Sequence, residues 1–123
     1  MAKQFTLGKS ERLKSKKQTD QLFSEGKKFS LVPFRIFYTT NTLENARNQF
    51  GVGVSNKIFK KATDRNRIKR LVREAWRLQQ HLLQSKLIIF FIYTSKELPE
   101  YKEVYDKVGA TISKLNKVLL TNK

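Results

Sequence analysis

Residues 50–93, FGVGVSNKIFKKATDRNRIKRLVREAWRLQQHLLQSKLIIFFIY, decide how this chain folds. Phe50, Val52 and Val54 alternate with Gly51, Gly53 and Ser55, the period of a strand whose second face is nearly bare. Leu87 to Tyr93 is continuously apolar, the pattern of a strand covered on both faces. Between them, on a helix that begins after Thr63 or Asp64, residues Ile68, Leu71, Val72, Ala75, Gln79 and Leu82 share one face. Asn66, Lys69, Arg70, Arg73 and Arg77 fall about half a turn away at ~100° per residue. One stripe is built to pack on a sheet; the other presents cations. Thr63 or Asp64 is expected to cap the first free N–H groups, the choice between them staying open. Strand, helix and strand in that order make a β–helix–β unit and predict a parallel pair.

Working outward, residues 16–25 (KKQTDQLFSE) read as a short helix with Leu22 and Phe23 on one side and Gly26 as its stop. Phe34, Ile36 and Tyr38 alternate with Arg35, Phe37 and Thr39 as a strand does, with Pro33 near its start. The polar residues 41–48 read as a connection, with room for a further strand in 41–49. Tyr101, Val104, Tyr105, Val108, Ile112, Leu115 and Leu119 recur at helical spacing. The whole predicts a single α+β domain over residues 1–123, a two-layer α/β sandwich, with a flexible basic start (1–12) and tail (120–123).

Composition narrows the function. The chain has 123 residues, enough for one core. Its 26 Lys and Arg against 10 Asp and Glu give a formal charge of +16, which calls for a polyanionic partner. Nine Phe and 39% apolar residues are too many for a disordered basic tail. The charge is uneven: residues 57–77 hold nine basic side chains (Lys57, Lys60, Lys61, Arg65, Arg67, Lys69, Arg70, Arg73, Arg77) against Asp64 and Glu74. Arg presents a planar fork to phosphate oxygens and stacks on bases, so this block suits RNA backbone recognition. A helix-turn-helix DNA reader fits less well, because a strand rather than a short helix precedes the basic helix. The N-terminus carries no apolar core of signal-peptide length, and Leu87–Tyr93 is too short to span a bilayer, so a cytoplasmic protein without membrane contact is expected.

Catalytic chemistry finds little support. There is no Cys and a single His, His81, to which no role is assigned. Asp20, Glu25, Glu44, Asp64, Glu74 and the acids of 97–106 show no spacing that converges two carboxylates. No phosphate-cradling glycine motif occurs. Phe23, Phe37 and Trp76 are either core residues or stacking platforms for bases, core being the commoner fate.

The stretch Lys57-x4-Ala62-x2-Arg65-Asn66-x-Ile68-Lys69-Arg70-x2-Arg73-Glu74 resembles the RNR signature of the bacterial ribonuclease P protein subunits. Leu13, Leu22-Phe23-x-x-Gly26 and Phe50-Gly51-Val52-x-Val54-Ser55 agree with the family in order and spacing, so the likeness covers about residues 9–119. The resemblance implies a fold of order α-β-β-β-α-β-α with a left-handed β–α–β crossover, where topology alone favours the right-handed form. It also implies an accessory subunit of an endoribonuclease, not catalytic by itself. The partners are then the catalytic RNA of ribonuclease P and the 5′ leader of precursor tRNA, with no obligate protein partner. Mg²⁺ would enter through the RNA, with no cofactor on the protein chain.

Carried over by position, the resemblance assigns RNA binding to Lys57, Arg65, Asn66, Arg67, Lys69, Arg70 and Arg73, and the basic block around them adds Lys60, Lys61 and Arg77 as candidates. The resemblance assigns Thr19, Phe23 and Phe37 to a leader-binding cleft. Thr19 stands where relatives often carry another aromatic, and Phe37 aligns with a position that is Tyr in some relatives. Asn56 replaces the first of a common Lys pair.

Overall fold

The computed structural model describes residues 16–40, 48–83 and 86–121. The elements are α1 (Lys16–Glu25), β1 (Lys27–Leu31), β2 (Phe34–Thr40), β3 (Gln49–Val54), α2 (Ala62–Gln79), β4 (Leu87–Tyr93) and α3 (Tyr101–Thr121), with a 3-10 turn over Gln80–Leu82. Four strands form one sheet in the order β1-β2-β4-β3. β4 lies inside it, antiparallel to β2 and parallel to β3. The parallel pair is the one that the β–helix–β reading predicts. The fourth strand among the described residues is β1, at 27–31, and it forms a hairpin with β2 across a cis Val32–Pro33 peptide. Its sequence, KKFSL, is polar at three of five positions, because an edge strand buries little of itself and shows little alternation. Residues 41–47 and 1–15 lie outside the described residues, so the expectations for the connection and the N-terminal stretch rest there. α3 continues to Thr121, into the stretch read as a tail.

Alternation along β4 explains why every one of its residues is apolar. Leu87, Ile89, Phe91 and Tyr93 join Phe34, Ile36, Tyr38, Phe50 and Val52 in the main core. That core is closed by Ile68, Val72, Ala75 and Trp76 of α2 and by Val104, Val108, Ile112 and Leu115 of α3. Ile88, Phe90 and Ile92 point the other way, where Leu22 of α1 and Phe37 of β2 are buried against them. The expected two layers therefore gain a partial third, α1, on the second face. No helix among the described residues is long and apolar enough to cross a membrane.

Two features of α2 differ from the periodicity reading. The helix starts at Ala62 with Lys61 as its N-cap, and no side chain among the described residues bonds the cap; Thr63 and Asp64 lie in the first turn instead. Asp64 still favours that end of the helix through its charge. At the other end, α-helix gives way to the 3-10 turn after Gln79, so helical spacing no longer carries Leu82 inward, and it stays 53% exposed. Gln79 is buried and uses its Nε2 to donate to the carbonyls of Ala75 and Tyr105, at 3.2 and 2.9 Å. Gly109 makes room for it, since a Cβ there would stand 2.6 Å from Gln79 Oε1.

α1 ends where expected, for a steric reason. The Gly26 N–H donates to the Leu22 carbonyl at 2.8 Å. A Cβ on Gly26 would lie 2.5 Å from that oxygen and 3.1 Å from the carbonyl of Tyr38. The glycine thus lets the helix end touch β2; a left-handed backbone is not required.

Burial raises the phenol of Tyr93 above its usual value of 10.0, and the O–H donates to the Glu97 carbonyl at 2.6 Å. Burial raises Tyr38 and Tyr101 in the same direction. These phenols stay protonated in the folded chain at a pH where the unfolded chain has lost its protons. Their contribution is therefore full below pH ~10 and is lost as pH climbs through the raised folded values. Denaturant midpoints measured from pH 8 to 11.5 should fall steeply above about 10. Tyr93→Phe should flatten that fall while costing about 1 kcal/mol at neutral pH; an unchanged alkaline limb would remove Tyr93 from the account.

Candidate nucleic-acid interface

The basic block separates into a loop and a helix face. The loop leaves β3 at Ser55 and reaches α2 at Lys61. The Ser55 carbonyl accepts from the Phe59 N–H at 3.0 Å, and its Oγ accepts from the Lys57 N–H at 3.1 Å. Phe59 turns into the core, with its ring 6.1 Å from that of Tyr93. Asn56, Lys57, Ile58, Lys60 and Lys61 all remain exposed. On α2 the face opposite Ile68, Val72 and Ala75 carries Asn66, Arg67, Arg70 and Arg73, all exposed, with Lys69 half-buried at its margin.

Arg65 and Arg77 spend their head groups on partners within the protein. Arg65 is half-buried and donates from Nη1 to the carbonyls of Phe59 and Lys60, at 2.7 and 2.9 Å. Arg77 pairs with Glu74 through both Nε and Nη2. Donating to the Glu74 carboxylate holds the Arg77 guanidinium above its ordinary range. Periodicity counts both as surface cations, because it sees the helix side on which a residue stands and not what its head group reaches.

The second site lies across the sheet, beside α1. Phe23 is 39% exposed, with its ring 4.8 Å from Phe37 and 5.2 Å from Phe90, the latter edge-on. Phe37 is itself buried under this contact, and Thr19 is half-buried one turn earlier on the helix. Phe90 is a residue that the sequence argument leaves out, although its place in a strand covered on both faces is the signal that finds it. In register beside this row, Lys28 faces Phe37 across the β1–β2 ladder, and the exposed Arg35 faces Ile92 across β2–β4. Gly53 contributes its bareness: a Cβ there would meet the Phe90 ring at 3.1 Å. A separate cleft of about 250 Å³ between α1 and the sheet is lined by Gln21, Leu22, Glu25, Gly26, Thr39 and Ile88. Trp76, by contrast, is fully buried, with its ring stacked on Phe50, so it is core and not a platform.

Among the described residues no three His, Asp or Glu side chains converge as a metal-binding group. What the geometry offers is a cationic helix face on one side of the sheet and an aromatic cluster flanked by cations on the other.

A family model described as Ribonuclease P matches residues 7–116. The chain belongs to the ribonuclease P protein family. A ribonuclease P protein component of Porphyromonas gingivalis is 41% identical over 108 residues, covering 81% of this chain and 79% of its own. The ribonuclease P protein component of Nitrosococcus oceani is 38% identical over 87 residues, 71% of each chain. The solved ribonuclease P protein of Thermotoga maritima superposes with a TM-score of 0.73 at 27% identity, over 85% of this chain and 96% of that one. That of Staphylococcus aureus gives 0.74 at 20% identity, over 88% and 96%, and so agrees in fold. Like these ribonuclease P proteins, the chain is a mixed α+β domain with a four-stranded sheet and three helices. As a member of the family it is a component of an endoribonuclease.

Proposed function

We propose that this chain is the accessory protein subunit of a ribonucleoprotein ribonuclease P, working in removal of the 5′ leader from precursor tRNA. It binds the catalytic RNA through the outer face of α2 and the loop ahead of it. It holds the single-stranded leader against the aromatic cluster beside α1. In this reading the RNA carries the Mg²⁺ and the hydrolysis, and the protein raises substrate affinity by offsetting phosphate repulsion.

The observation that carries the proposal is the setting of Phe23. A Phe ring left 39% exposed on a +16 domain, packed on Phe37 and Phe90, offers a base-stacking surface. Stacking tolerates any base, as a leader of varied sequence requires, and Lys28 and Arg35 stand on the same sheet face to meet phosphates.

The test is cleavage of a leader-bearing precursor tRNA by the cognate catalytic RNA at low Mg²⁺, with and without this protein, beside a protein-only lane. Cleavage at the mature 5′ end is expected only where both components are present. Cleavage by protein alone would overturn the assignment of catalysis to the RNA. No stimulation at any ratio would leave a general RNA-binding domain. A finer check addresses the helix face: Arg70→Ala should weaken RNA binding and reduce the slope of log affinity against log salt by about 1, as loss of one phosphate contact does. An unchanged slope would place Arg70 outside the interface.

A further inference from the structure

We infer that Arg65 serves as a clasp that presets residues 55–61 as an RNA-binding loop, acting through the loop lysines rather than as a phosphate contact of its own. The inference rests on the RNA-binding reading above. It starts from the two N–H groups of one guanidinium nitrogen, which are taken up by successive carbonyls, Phe59 at 2.7 Å and Lys60 at 2.9 Å. A charged donor shared between two carbonyls makes a strong tie. The tie crosses the entry to α2, where Lys61 is extended and no side chain among the described residues caps the helix.

The rest of the loop is fixed from its other end. Ser55 holds the Lys57 and Phe59 N–H groups, and the Phe59 ring is buried in the core. Between these anchors Lys57, Lys60 and Lys61 stand exposed with Ile58, itself 40% exposed, among them. Three neighbouring ammonium groups repel one another, and without the clasp they would spread and pay the ordering entropy only on binding. With it they meet phosphate already in place. Lys at position 65 keeps the charge but supplies a compact head on a flexible stem, which does not reproduce the planar fork between two fixed carbonyls.

The experiment measures affinity for the cognate catalytic RNA at several salt concentrations. The variants are Arg65→Ala, Arg65→Lys, the triple Lys57→Ala/Lys60→Ala/Lys61→Ala, and the triple combined with Arg65→Ala, all checked for an intact thermal transition. A clasp predicts that Arg65→Lys fails to rescue, both single variants binding about tenfold more weakly than the parent. It also predicts that Arg65→Ala adds little on top of the triple substitution, and that amide exchange over 56–61 accelerates in the free Arg65→Ala protein. Recovery of affinity in Arg65→Lys, or additive losses in the combined variant, would make Arg65 a direct phosphate contact and overturn the inference. So would unchanged amide exchange. Failure of the parent protein to bind the RNA at all would instead sink the functional reading, while the exchange data still judge the clasp.

Discussion

Replacing Phe23 by Ala should weaken binding of precursor tRNA to the assembled ribonucleoprotein by ~1–3 kcal/mol, the worth of one stacked base, and leave mature tRNA binding unchanged. The selectivity follows from where the ring stands. Phe23 is partly exposed on the α1 side of the sheet, whereas the cations of α2 lie on the other side. Truncation therefore removes a surface that only the leader would occupy. The fold should tolerate it, because Phe23 is already partly exposed and the main core lies on the other face of the sheet. Phe23→Tyr keeps the ring and should keep most of the affinity. Equal losses for precursor and mature tRNA would refute the leader role.

The second large effect is on stability. Trp76→Ala should destabilise the protein by ~3–5 kcal/mol, a large share of the ~5–15 kcal/mol that holds a domain folded. The indole is fully buried, stacked on Phe50 at 5.2 Å and edge-on to Phe91 at 5.9 Å, so its loss opens the seam between α2 and the sheet. Trp76→Phe should cost far less. The buried indole Nε1 has no hydrogen-bond partner among the described residues, and removing that donor relieves a penalty of ~1–3 kcal/mol that offsets part of the lost packing. Urea titrations in phosphate buffer, where salt screens the self-repulsion of the chain, give both values. An Ala variant within ~1 kcal/mol of the parent would contradict the packing described here.

The parts of this fold legible in the sequence are those whose burial is one-sided and periodic. α2 and α3 show their core faces at helical spacing, β4 shows coverage on both sides, and the parallel β3–β4 pair follows from the helix between them. α1 is legible to the residue because Gly26 is the point of contact with β2. β1 is not, since an edge strand carrying Lys27, Lys28 and Ser30 has no apolar alternation to read. Leu82 misled for a related reason: spacing extrapolates a helix past the place where hydrogen bonding changes it. At the candidate site the sequence offers the residue types, and the family likeness supplies the expectation of which positions bind. The pairing of Arg65 with two carbonyls, of Arg77 with Glu74, and of Phe23 with Phe90 arises from contacts between side chain and fold that no periodicity encodes.

The position of β4 bears on how the chain is made. Phe34–Thr40 and Gln49–Val54 are sheet neighbours only through Leu87–Tyr93, which is synthesised after both of them and after the whole of α2. Until Tyr93 has left the ribosome, two strands wait with open edges and the apolar side of α2 has no finished sheet to lie on. The cationic side of that helix is meanwhile already exposed beside ribosomal RNA. Nascent chains halted before Leu87 should therefore be protease-sensitive, and chains halted late enough for β4 and α3 to clear the ribosome should be protected.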